Sequence, residues 1–186
     1  MTLRPEDILT FWFEDDASVR RKKWFEKDPD FDSACARFAQ DIRAARANAY
    51  ASWTETPKGS LALIVLLDQL SRNVFRGTAE AFAADARALT LAREMVTKGY
   101  DTALTPFERM FVYLPFEHAE DLAEQDRAVH LFSGLADALG ADTVDYAIRH
   151  RDVIRTFGRF PHRNASLGRT NTAAEDDYLS GPNAGF

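Results

Sequence analysis

The stretch from Arg155 to Arg169 sets four arginines, His162 and Asn164 among Phe157, Phe160, Pro161 and two glycines. A guanidinium is a permanent cation with a planar fork of donors, suited to carboxylate or phosphate. Gly and Pro stop a helix here, and the phenylalanines seek burial. The charged groups are therefore expected near a core, where a cation needs a negative partner. That partner is either a protein carboxylate or an anionic ligand.

Other residue sets could share the chemistry. Asp68, Arg72 and Arg76 recur at helical spacing, and Asn73 follows Arg72 as Asn164 follows Arg163. An Arg fork beside an amide suits a carboxylate or phosphate with polar neighbours, or ties loop carbonyls to a core. Glu117 and His118 are adjacent, a pairing used in general acid–base catalysis and in metal binding. No second histidine lies three or four positions from His118, so zinc-protease spacing is absent and no metal is expected. His130 reads as surface and His150 as a hydrogen-bonded core residue. No phosphate-cradling loop, nucleophile elbow or Cys/His dyad is recognisable.

Charge distribution offers a plain alternative. Arg149 to Arg169 holds six arginines against one acid, Asp152, within a chain of net charge −6. Glu117, Glu120, Asp121, Glu124 and Asp126 fall close together with no Lys or Arg between them. The column Arg151, Arg155, Arg159 puts like charges one turn apart, a mild penalty unless anions face it. The acidic run is the nearest candidate by composition, and the cluster would then be purely structural.

The elements that must position these groups read as helices throughout. No segment alternates like a strand. Pro5 opens a short amphipathic helix, and Ser18 to Phe25 reads as another with Trp24 and Phe25 inward. Asp28-Pro29 caps a long helix through Cys35 and Ile42. Ser60 to about Phe75 is apolar on every side at first, as a central buried helix would be. Further helices are expected over Ala79–Lys98, from Thr105 to a break at Pro115, over Asp121–Leu139 and from Asp142 to Gly158. Tyr146 is assigned to the inward face of that helix. Thr172 and Glu175 make a capping box for a last short helix, and 181–186 reads as a loose tail. The trend is an all-α chain of eight or nine antiparallel-leaning helices, a single domain over 1–180.

Composition excludes other classes. With 186 residues and 14 phenylalanines the chain can bury a proper core. Its acidic balance argues against nucleic acid, and its longest apolar run, Leu61 to Leu67, is too short for a bilayer. The N-terminal segment lacks the build of a secretory signal. One cysteine, Cys35, forms no internal disulfide, so a cytoplasmic setting is expected. A homodimer stays open.

Three segments carry a family resemblance. They are Leu61-Ala-Leu-Ile-Val-Leu-Leu-Asp-Gln-Leu-Ser-Arg-Asn-Val-Phe-Arg-Gly-Thr78, Glu108-Arg-Met-Phe-Val-Tyr-Leu-Pro-Phe-Glu-His-Ala-Glu120 and Phe157-Gly-Arg-Phe-Pro-His-Arg-Asn-Ala-Ser-Leu-Gly-Arg169. With Phe11-Trp-Phe13 and Trp24-Phe25, the chain resembles the bacterial family catalogued as domain of unknown function 924 along nearly its whole length. The resemblance implies a helical array similar to tetratricopeptide-repeat superhelices, and no known activity. Ala119 and Asn171 stand where the family pattern leads one to expect Ser.

Together these readings nominate Arg72, Asn73, Glu117, His118, Arg159, His162, Arg163 and Asn164 as a convergent, partly buried polar site. The leading expectation is a binding module for an anionic small molecule or peptide terminus, with no cofactor. An enzyme using Glu117 and His118 for acid–base work is the alternative, with arginines stabilising the developing charge.

Overall fold

The computed structural model describes residues 3–182, and among them there is no strand. The α-helices, in order, are α1 (Pro5–Phe13), α2 (Pro29–Cys35), α3 (Ala39–Arg46), α4 (Pro57–Ile64), α5 (Ser71–Val74) and α6 (Asp85–Thr97). They continue as α7 (Pro106–Glu117), α8 (Leu122–Ser133), α9 (Ala136–Leu139), α10 (Asp142–Phe157), α11 (Asn164–Leu167) and α12 (Ala173–Ser180). Several are parts of one run. A 3₁₀ turn at Ala36–Phe38 joins α2 to α3, and a π-helix at Val65–Leu70 joins α4 to α5.

Helix starts follow the sequence chemistry. Asp28 accepts from the amides of Asp30 and Phe31 at the head of α2, and Thr56 accepts from Gly59 at the head of α4. Asp121 does the same for Ala123 and Glu124 on α8. Thr172 and Glu175 form the reciprocal capping box of α12. At the other end of α10, Gly158 takes the left-handed conformation, with φ +71°.

The packing gathers into two compact units. One comprises the chain up to Arg76 with Glu80–Pro115, the other Gly77–Ala79 with the chain from Phe116 onward. In the first, Leu61 to Leu67 are completely buried among Ile8, Trp12, Ile42, Ala88 and Phe111. Trp12, Trp24 and Phe111 interlock there, with ring centroids 5.0–6.5 Å apart. In the second, α8 packs on α10, and Val153, Ile154 and Phe160 form a core flanked by Phe157 and Tyr178.

Boundaries depart from the sequence reading in identifiable places. Ser18–Phe25 holds only a 3₁₀ turn, Lys22–Trp24, and Phe25 is half exposed rather than inward, its ring under Arg20. Tyr146 also faces out, stacked beneath Arg149. In both cases a cation covers the ring and lets an amphipathic-looking aromatic stay at the surface. Ala79–Phe82 is a 3₁₀ turn ahead of α6, and the expected Asp121–Leu139 helix breaks between α8 and α9 at Gly134. Pro115 does not end α7, which runs on to Glu117. The segment after Gly158 carries a 3₁₀ turn, Pro161–Arg163, leading into α11. From residue 183 on, the expected tail lies outside the described residues.

Candidate functional site

Helix α7 ends by delivering Glu117 into the interior and His118 into the following turn. That turn is held from α8, where the Gln125 amide donates to the carbonyls of Glu117 (2.6 Å) and Ala119 (2.7 Å). Helix α10 supplies His150, whose Nδ1 lies 2.9 Å from the carbonyl of Tyr146 and 3.3 Å from Oε1 of Glu117. A carbonyl can only accept, so Nδ1 carries the ring proton. Burial pushes the His150 imidazole down to about 2, outweighing the opposing pull of the Tyr146 carbonyl, and neighbouring cationic groups add to the depression. This imidazole is neutral at ordinary pH.

Phe160 is the centre of the arrangement. It is completely buried, and its ring meets His150 at 5.7 Å, His162 at 5.5 Å and the Arg163 guanidinium at 4.4 Å. His118 approaches His150 with ring centroids 6.3 Å apart. Arg163 is only 5% exposed, so its guanidinium is one of the few nearly water-free cations of the chain. Asn164 follows it, donating to Oδ1 of Asn171 at 2.8 Å.

Two clamps fix this segment. The Phe160 amide donates to Glu120, and Arg169 forks onto both oxygens of Glu120 at 2.7 and 2.9 Å. Partial burial works to raise the Glu120 carboxyl; the Arg169 fork and the Phe160 amide outweigh it and hold the group below its ordinary value. The second clamp joins Arg159 to Glu175 at 2.6 and 2.8 Å and to the carbonyl of Thr170. That fork, with the Thr172 amide, pulls the Glu175 carboxyl down to about 2.

The nominated residues thus fall into three groups. Glu117, His118, His162, Arg163 and Asn164 belong to the neighbourhood of Phe160 and His150. Arg159 belongs to the same unit, but its fork is committed to α12. Arg72 and Asn73 belong to the first unit. There Arg72 forks onto Asp85 at 2.9 and 3.0 Å and reaches Asp68 at 3.1 Å, while Asn73 donates to Asp32 alongside Arg76.

The acidic run meets the arginine column only in part. Arg151 approaches Asp126 at 3.7 Å, whereas Arg155 takes Asp152 within its own helix and Arg159 takes Glu175. Sequence reasoning missed Phe160 as a hub and Asp85 as the partner of Arg72. The capping box did mark Glu175, although not as the partner of an arginine. Asp85, thirteen residues from Arg72, gives no local signal. Among the described residues, no three His, Cys, Asp or Glu side chains are grouped to hold a metal ion, and no helix is long and apolar enough to cross a membrane.

Comparison with known proteins follows the same outline. The family described as bacterial protein of unknown function, DUF924, matches residues 8–183. The chain belongs to this family. DUF924 also includes the stretches that carry α7, the Gln125 lock and both clamps. Among solved structures, that of a protein of unknown function, ATU0120, from Agrobacterium tumefaciens is 42% identical, with a TM-score of 0.84. The match covers 95% of this chain and 96% of that one. No curated protein matches the chain.

Proposed function

We propose that this DUF924 chain is a binding module, and that its second unit takes an anionic small molecule or peptide terminus at the cluster around Phe160. The observation that supports the reading is Arg163, buried flat on Phe160 with His150 and His162 against the same ring. Ring contact offsets only a part of what it costs to take a guanidinium out of water, about 1–2 kcal/mol, so negative charge is favoured at this spot. His162 and His118 add ring donors, and Asn164 supplies an amide. Oδ1 of Asn164 is buried and meets no donor among the described residues. A ligand bearing O–H or N–H beside its anionic group would satisfy it. Arg159 is scaffold in this reading, because Glu175 already fills its fork.

Heating scans with inorganic phosphate or citrate, against sodium chloride of equal ionic strength, test the proposal. Millimolar binding in large ligand excess stabilises by about 1.5 kcal/mol, a rise of about 3–6 °C for a chain of this size. Arg163→Gln is expected to remove the rise while keeping the helical spectrum. Equal rises in both proteins, or none in either, would leave Arg163 with a structural role only.

A further inference from the structure

A second place in the molecule, independent of the Phe160 cluster, is built to hold a ligand. Within the first unit, α1 and the α2–α3 run border an open groove of 590 Å³, the size of a metabolite site. Its walls include Leu3, Phe11 and Phe38, with Glu6, Arg37 and Asp41 among the charged residues.

The informative pair is Arg37 and Asp41. They stand four residues apart, the spacing at which opposite charges on a regular helix normally meet. Here they make no ion pair with each other or with any described residue. The 3₁₀ turn at Ala36–Phe38 winds more tightly than an α-helix and turns Arg37 out of that alignment.

Each ion is instead held by aromatic side chains. The Arg37 guanidinium lies 4.5 Å from the Phe11 centroid and 4.6 Å from that of Phe38. Asp41 accepts the Tyr50 hydroxyl at 2.6 Å. Burial, and then that hydrogen bond, pushes the Tyr50 phenol up to about 12, so Tyr50 remains a donor. The groove therefore presents a fork of unused N–H donors and a carboxylate about one helical turn apart, beside apolar wall. Arg4 and Asp7, also on its rim, already pair with each other at 3.2 Å.

We infer that this groove binds a small zwitterion: a free α-amino acid with an apolar side chain. Its carboxylate sits on Arg37, its ammonium on Asp41 with Glu6 nearby, and its side chain against Leu3 and Phe11. The short distance between the two charges of an amino acid matches adjacent, oppositely charged partners. A peptide C-terminus offers the same carboxylate without the ammonium, and the experiment separates the two.

NMR titration of the full chain with L-phenylalanine, N-acetyl-L-phenylalanine and L-phenylalaninamide is the test. L-Phenylalanine is expected to shift the ring resonances of Phe11 and Phe38 at millimolar concentration. The N-acetyl compound and the amide each lack one charge and should bind at least about tenfold more weakly, the equivalent of 1.4 kcal/mol. Arg37→Gln should abolish the response, and Arg37→Lys should recover part of it with the fold unchanged. Binding of the N-acetyl compound as tight as that of L-phenylalanine would overturn the zwitterion in favour of a chain terminus. No response to L-phenylalanine, or the same response in Arg37→Gln, would overturn the site altogether.

Discussion

Burial gives His150 a protonation preference that can be read out as stability. The folded imidazole titrates at about 2 against an ordinary value of 6.5. An unfolded chain therefore takes up a proton near pH 6.5 that the folded chain refuses. The stability this residue provides is complete above that pH and is lost as pH falls below it, at about 1.4 kcal/mol per pH unit. Urea unfolding at pH 7 and 5.5 should show the native chain losing about 1 kcal/mol more than His150→Gln across that interval. Identical losses would mean the imidazole is hydrated. Glu175 works in a lower window. Its carboxyl is held down to about 2 chiefly by the Arg159 fork, so its contribution is present above the ordinary carboxyl value and disappears as pH falls towards 2. Arg159→Gln should move that loss up towards pH 4.5; acid unfolding followed by circular dichroism would reveal no movement if the fork were idle. Neither group was fully legible in the sequence. The apolar face of α10 marked His150 as a core histidine, but its Glu117 neighbour comes from another helix, and no local pattern reports that.

At the level of elements, capping chemistry was the most readable feature and irregular turns the least. Asp28, Thr56, Asp121 and Thr172 each sit where a side-chain oxygen can satisfy free amides, and all four do so. The π-helix left no comparable trace, because Leu61 to Leu70 is apolar enough to suit any helical pitch. Gly59 illustrates a constraint hidden in plain sight. It reads as part of a helix-breaking cluster, yet it lies inside α4, where a Cβ would stand 2.2 Å from the Trp53 carbonyl oxygen. Because the obstacle is backbone, no side chain can swing away. Gly59→Ala should cost about 2 kcal/mol or more despite the better helix propensity of Ala. Thermal unfolding no lower than that of the native chain would show that the preceding turn can yield.

For the whole molecule, the all-helical class follows from the absence of alternation and the recurrence of amphipathic periods, and the structure is all-helical. The identity of the partners for each arginine does not follow, since charge bookkeeping along a chain ignores which faces meet in space. Arg159 chose Glu175 over the acidic run for that reason. Cys35 gives a global probe. Burial, and secondarily the Asp32 carboxylate, pushes its thiol up to about 12, so it is neither exposed nor a thiolate in the native state. Labelling by a thiol reagent should proceed only through unfolding and slow in step with measured stability; rapid native-state labelling would expose a local opening around α2. The wide turn between Val65 and Leu70 also restricts how such chains change length. A π turn accommodates one residue more than an α turn, so deleting one there would let ordinary helix form without a break. The cost would come further on, because Ser71–Val74 would swing by about 100°, carrying Arg72 off Asp85 and Asn73 off Asp32. A length change harmless in a loop would, at this spot, unpick two anchoring contacts at once.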